Sequence, residues 1–104
     1  MSEKTFTPAV PLADLPLYGK TVVKFGRVPV LLCRTEDGIY ALRNECSHAY
    51  AELDCGRIRD GWISCPLHGA RFDLETGEAL KGPATEPIET FAVQVTDGMI
   101  EVAV

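Results

Sequence analysis

Only two histidines occur in this 104-residue chain, and each follows a cysteine by a short step: Cys46-Ser47-His48 and Cys65-Pro66-Leu67-His68. Any fold the chain adopts has to serve that pairing. Sixteen residues separate the two pairs, and the run between them contains Asp60-Gly61. Asp-Gly tolerates the positive φ angles that a tight turn demands. Arg57-Ile58-Arg59 and Trp62-Ile63-Ser64 are therefore expected to form a hairpin that carries the chain out and back. The two pairs then lie on neighbouring loops, facing one another.

The rest of the chain is punctuated in the same way. Turn residues recur at short intervals, and no window keeps a helical period with caps. The expected class is all-β, an antiparallel sandwich or small barrel. Strands are expected over 21–25, 28–34 and 39–43, joined through Gly26-Arg27 and Glu36-Asp37-Gly38. Asp97-Gly98 links Phe91-Ala92-Val93-Gln94-Val95, with Phe91, Val93 and Val95 on one face, to 99–104. Thr76-Gly77 marks a reversal after Phe72-Asp73, and a short helical turn is expected at Ala13-Asp14-Leu15. No linker or repeat is visible, so residues 1–104 are read as one domain.

Charge narrows the partners. Ten Lys and Arg against fifteen Asp and Glu give a formal charge of -5, which argues against nucleic acid or an anionic membrane and suits a basic protein partner. Met1-Ser2-Glu3-Lys4-Thr5 carries an acid where a signal peptide wants bases. The longest aliphatic stretch, Val28 to Cys33, is far too short to span a bilayer. A cytoplasmic location is expected, and there four cysteines read as metal ligands or buried thiols rather than disulfides.

Cys-x-His followed by Cys-x-x-His is the ligand pattern of a Rieske centre, in which two thiolates hold one iron and two imidazoles the other. On these residues the chain resembles the Rieske proteins. Cys65-Pro66-Leu67-His68-Gly69 matches the family's second loop, and Lys81-Gly82-Pro83-Ala84 resembles the proline-containing loop that covers the cluster. The likeness covers the whole chain in length and strand spacing and is sharpest from Cys46 to Ala84. It implies one 2Fe-2S cluster held by Cys46, His48, Cys65 and His68 in a cluster-binding subdomain of about residues 44–84, with both imidazole edges at the surface as the electron exit. Pro66 and Pro83 restrict φ, and Gly69 permits a tight turn, so the loops are expected to be stiff and dry. Backbone amides in such a shell favour the electron-rich sulfurs.

Other readings of the same residues remain. Two cysteines and two histidines also hold zinc tetrahedrally, which would make the chain a zinc-stabilised interaction module. Zinc sites, however, more often group sulfurs with sulfurs and histidines with histidines, whereas each short pair here mixes the two. Cys33 reads as a core residue, and Cys55 as a free thiol. Trp62 reads as packing rather than an electron relay. Tyr50 either shields the cluster or touches a partner. Glu75, Glu78, Glu86 and Glu89 read as a solvated face with docking as the alternative.

The resemblance carries further expectations. The disulfide that clamps the two cluster loops in respiratory and photosynthetic relatives is absent, its positions being Ala51 and Leu67. High-potential relatives place a serine and a tyrosine where this chain has Ala70 and Phe72. Without those hydroxyl donors the potential is expected near the low end of the Rieske span, about -150 mV. With both histidines assigned to iron, no Ser-His-Asp set can be built, and no phosphate-cradling glycine loop is present. The chain is read as a carrier without catalytic residues. It looks most like the free ferredoxin of a bacterial aromatic-ring-hydroxylating dioxygenase, a monomer passing electrons from an NADH-dependent flavoprotein reductase to the terminal oxygenase. The alternative within the family is the small subunit of an assimilatory nitrite reductase.

Overall fold

The computed structural model describes residues 5–45, 52–53, 56–65, 69–81 and 86–104. Cys46, His48, Tyr50, Ala51, Cys55, Pro66, Leu67, His68 and the 82–84 part of the proline loop lie outside the described residues.

Among the described residues the strands form three antiparallel sheets. The first has the order β1 (Phe6–Pro11), β11 (Met99–Ala103), β10 (Val93–Thr96). The second has the order β2 (Lys20–Phe25), β3 (Val28–Thr35), β4 (Gly38–Arg43), β9 (Thr90–Phe91). The third has the order β5 (Ile58–Arg59), β6 (Trp62–Ser64), β7 (Arg71–Asp73), β8 (Ala79–Lys81). All three sheets have open edges, so among the described residues the architecture is a sandwich and not the closed small barrel held as an alternative.

The central strand β3 explains how the layers meet. Its run Val30-Leu31-Leu32-Cys33 is apolar at every position because both of its faces are covered. Val30 and Leu32 point into one core with Leu15, Ala41, Ile100 and Val102, beneath the first sheet. Leu31 and Cys33 point the other way, into a core with Leu42, Leu53, Ile63, Cys65, Phe72 and Leu74 beneath the third sheet. A leucine fully removed from water, as Leu31 and Leu32 are, stabilises the fold by about 1.5–3 kcal/mol. One strand thus ties a structural base to the part that carries Cys65.

The expected hairpins are present. Asp60 and Gly61 have φ of 48° and 80°, and Asp97 and Gly98 have 51° and 79°, the left-handed pair that two-residue hairpin turns require. Three strands escaped the sequence reading. β1 contains Pro8 and Pro11; it survives as an edge strand, paired only with β11, with its register shifting between Pro8 and Val10. β7 and β8 are three residues each, too short for a period-2 signal. The single run expected over 91–95 divides at Ala92. Phe91 pairs with Ala41 in the second sheet, while Val93 pairs with Val102 in the first, so the chain changes layers there and Val95 is left exposed. The helical turn is a 3-10 turn at Leu12–Asp14, one residue earlier than expected.

Candidate metal centre

Of the four expected ligands, Cys65 is within the described residues. It follows β6 directly and is buried, with a free thiol inside the apolar core shared by Leu53, Ile63, Ala70 and Phe72. Cys46, His48 and His68 lie outside the described residues. Among the described residues no three His, Cys, Asp or Glu side chains converge on one point.

The described residues that flank the two Cys-His pairs adjoin one another. At the second pair, the Cys65 amide donates to the Ala70 carbonyl at 2.6 Å, and the Gly69 amide donates back to the Cys65 carbonyl at 3.1 Å. These two bonds close the chain around 66–68, and Gly69 takes φ of 71°, a conformation that suits glycine. At the first pair, the buried Asn44 side chain accepts from the Leu53 amide at 2.8 Å, pinning both ends of 45–52. Leu53 in turn accepts from the Gly56 amide at 2.8 Å. A Cβ at Gly56 would collide with the Ser64 carbonyl, so only glycine lets the end of the first segment press against the strand that delivers Cys65. The Asn44 clasp was not foreseen from the sequence. A buried asparagine has no spacing signature, and only its cross-loop partner reveals its purpose.

This donor environment fits an iron-sulfur cluster. A buried thiol at the end of a rigid strand, in an apolar shell beside backbone-closed loops, matches what thiolate ligation of an electron-transfer centre requires. Ala70 and Phe72 are fully buried in the same core as Cys65, and neither offers a side-chain donor.

Residues outside the ligand set resolve differently. Cys33 is fully buried, and loss of solvent raises its thiol to about 12, with Lys20 opposing weakly; it is an inert core residue. Trp62 is half-buried, with the Arg71 guanidinium 4.2 Å from its ring centroid. Glu75, Glu78, Glu86 and Glu89 are exposed. Glu89 faces Arg43 at 3.7 Å, and the amides of Glu75 and Thr76 are capped by Asp73 Oδ1 at 2.8 and 3.0 Å. No helix of the described residues is long and apolar enough to cross a membrane.

Comparison with known proteins agrees with this geometry. Residues 5–92 match the family described as Rieske [2Fe-2S] domain. The chain is 37% identical over 79 residues to the anthranilate 1,2-dioxygenase ferredoxin subunit of Burkholderia cepacia, covering 76% of this chain and 73% of that one. The ferredoxin of carbazole 1,9a-dioxygenase from Nocardioides aromaticivorans superposes with a TM-score of 0.90 at 35% identity, covering 95% of this chain and 97% of that one. A chain in a solved complex of reduced oxygenase and oxidized ferredoxin in carbazole 1,9a-dioxygenase superposes with a TM-score of 0.88 at 30% identity, covering 94% and 92%.

Proposed function

This chain belongs to the Rieske [2Fe-2S] domain family, a ferredoxin that carries electrons on one Rieske-type 2Fe-2S cluster, and from that premise we propose that it is the shuttle between a flavoprotein reductase and a terminal aromatic-ring-hydroxylating dioxygenase. Cys46 and Cys65 would hold one iron of the cluster, and His48 and His68 would hold the other. When bound, the cluster supplies a one-electron couple. The protein's own contribution is positioning. The bonds between Cys65, Gly69 and Ala70, and the Asn44 clasp on Leu53, fix the residues that flank the two Cys-His pairs. That rigidity lowers the reorganisation each transfer must overcome. Leu53, Phe72 and Leu74 keep water from the thiolate side.

The observation that carries the reading is the buried Cys65 thiol, tied by backbone bonds to Gly69 and Ala70, in a chain that matches ferredoxin subunits along most of its length. The nitrite reductase alternative calls for a permanent apolar interface. The exposed large apolar side chains among the described residues are instead dispersed: Val22 on the second sheet, Leu80 on the third, Val95 on the first, and Leu17 and Tyr18 before β2. A dispersed pattern suits successive transient encounters, and we read the carrier as a cytoplasmic monomer. Reconstitution tests this. With a ring-hydroxylating oxygenase and an NADH-dependent reductase from the same gene neighbourhood, oxygenase turnover should require this chain. Turnover unchanged by its omission would overturn the assignment.

A further inference from the structure

Acids outnumber bases in the whole chain, yet beside the second ligand segment the charge reverses. An open groove of about 760 Å³ runs from β2 to the third sheet, bordered by Lys20, Arg57, Arg59, Asp60, Trp62 and Arg71, and it reaches Gly69, the residue after the proposed ligand His68. Four of the chain's ten bases meet there with one acid among the described lining residues. A further acid, Glu36, accepts from the Tyr18 hydroxyl at the rim at 3.0 Å.

The bases are not occupied with one another's neutralisation. Lys20 donates to the Gly56 carbonyl, and Arg71 lies over Trp62. Arg57 and Arg59 are exposed and make no ion pair among the described residues. Bases gathered in excess of acids create a local positive field that a complementary anionic surface relieves. Arginine forks suit carboxylates, and a half-buried Trp beside arginines has the composition of an interface anchor. A long polyanion would also meet the fifteen acids elsewhere on the chain. A short acidic segment feels mainly the groove, because exposed charges beyond about 8 Å are largely screened at physiological salt.

We propose that this groove is the docking surface for an acidic segment of a protein electron-transfer partner, with Arg57 and Arg59 contacting its carboxylates. The proposal rests on the electron-carrier reading above. It reverses the expectation drawn from net charge, since the partner's contacting face is acidic rather than basic.

Two double variants with equal change in total charge separate local from global effects. R57E/R59E alters the groove, whereas K24E/R27E alters exposed positions at the far end of β2 and its turn. On iron-loaded protein, a deca-glutamate peptide titrated by calorimetry should bind wild type and K24E/R27E alike and lose at least about tenfold in affinity with R57E/R59E. In stopped-flow transfer at low salt, R57E/R59E should slow the second-order rate with the reductase or the oxygenase by about tenfold or more, while its iron content and reduced spectrum stay as in wild type. Equal losses in both double variants, or no loss in R57E/R59E with either partner and with the peptide, would overturn the groove. If wild type exchanges electrons with neither partner, the carrier reading fails instead, and the peptide titration still decides the groove.

Discussion

The two cores on either side of β3 are made of similar apolar residues, yet they are closed by different means. Under the first sheet, Val30, Leu32, Ala41, Ile100 and Val102 interlock through strands of four to eight residues paired along their length. Under the third sheet, Leu31, Leu53, Ile63, Phe72 and Leu74 are covered, among the described residues, by strands of two or three residues. Strands so short contribute few backbone bonds, so the second core depends on what ties its loops together. The Asn44 clasp does part of this, and a bound cluster would add to it, because metal binding free energy is folding free energy for a site assembled from loops. We therefore expect the first core to hold without metal and the second to be completed by it.

The strongest way to break this contrast is to remove one ligand. Cys65→Ala should abolish the cluster, leaving a colourless protein. Hydrogen exchange should then show protection lost at Leu53, Ile63, Phe72 and Leu74 while Val30, Leu32, Ile100 and Val102 retain it. Uniform loss across both cores would contradict the division.

A matched pair on β3 sharpens it. Leu31→Ala and Leu32→Ala each empty a fully buried site and should each cost about 2–5 kcal/mol in denaturant unfolding. Only Leu31→Ala should also lower iron retention and shift the reduction potential. Equal effects of both on the potential would mean that β3 does not partition the cores.

Next in size are the missing donors. A hydroxyl that donates to a cluster sulfur stabilises the reduced, more negative state. Ala70→Ser and Phe72→Tyr should therefore each raise the potential from about -150 mV by roughly 1–3 kcal/mol per charge-assisted bond, tens of millivolts and upward for one electron. Film voltammetry checks this; a positive wild-type potential, or no shift in well-loaded variants, would remove the hydroxyl argument.

The smallest effect lies at Cys33. Its thiol rises from an ordinary 9.0 to about 12 in the fold, so the native state keeps a proton that the unfolded state gives up. Native stability from this group is complete below pH 9 and drains away as pH rises toward 12. Cys33→Ala should have lower stability at pH 7 but a flatter decline between pH 9 and 11, measured by urea unfolding at each pH. Native Cys33 should also resist thiol reagents at pH 8.

How much of this was legible in the sequence follows from the range of each signal. The Asp60-Gly61 and Asp97-Gly98 hairpins and the two Cys-His pairs are local, and each could be read within a few residues. The continuous apolar run of β3 showed a strand but not that it serves two cores, because that depends on which layer covers each face. β1 was hidden by its prolines, and β7 and β8 by their length. The break at Ala92 required knowing that β4 and β11 compete for one chain segment. The Asn44 to Leu53 bond and the basic groove join residues far apart in sequence, and net charge pointed the opposite way at the groove. Of the four expected ligands, the structure describes Cys65, a buried free thiol at the end of β6.

The most direct test of the central claim is nitrogen hyperfine spectroscopy on the reduced protein, with iron and sulfide assayed on the same sample. The account predicts two irons and two acid-labile sulfides per chain, and coupling to two imidazole nitrogens that disappears, with loss of the native cluster, in His48→Ala and in His68→Ala. A zinc-loaded colourless protein, or a 2Fe-2S signal without nitrogen coupling, would contradict it.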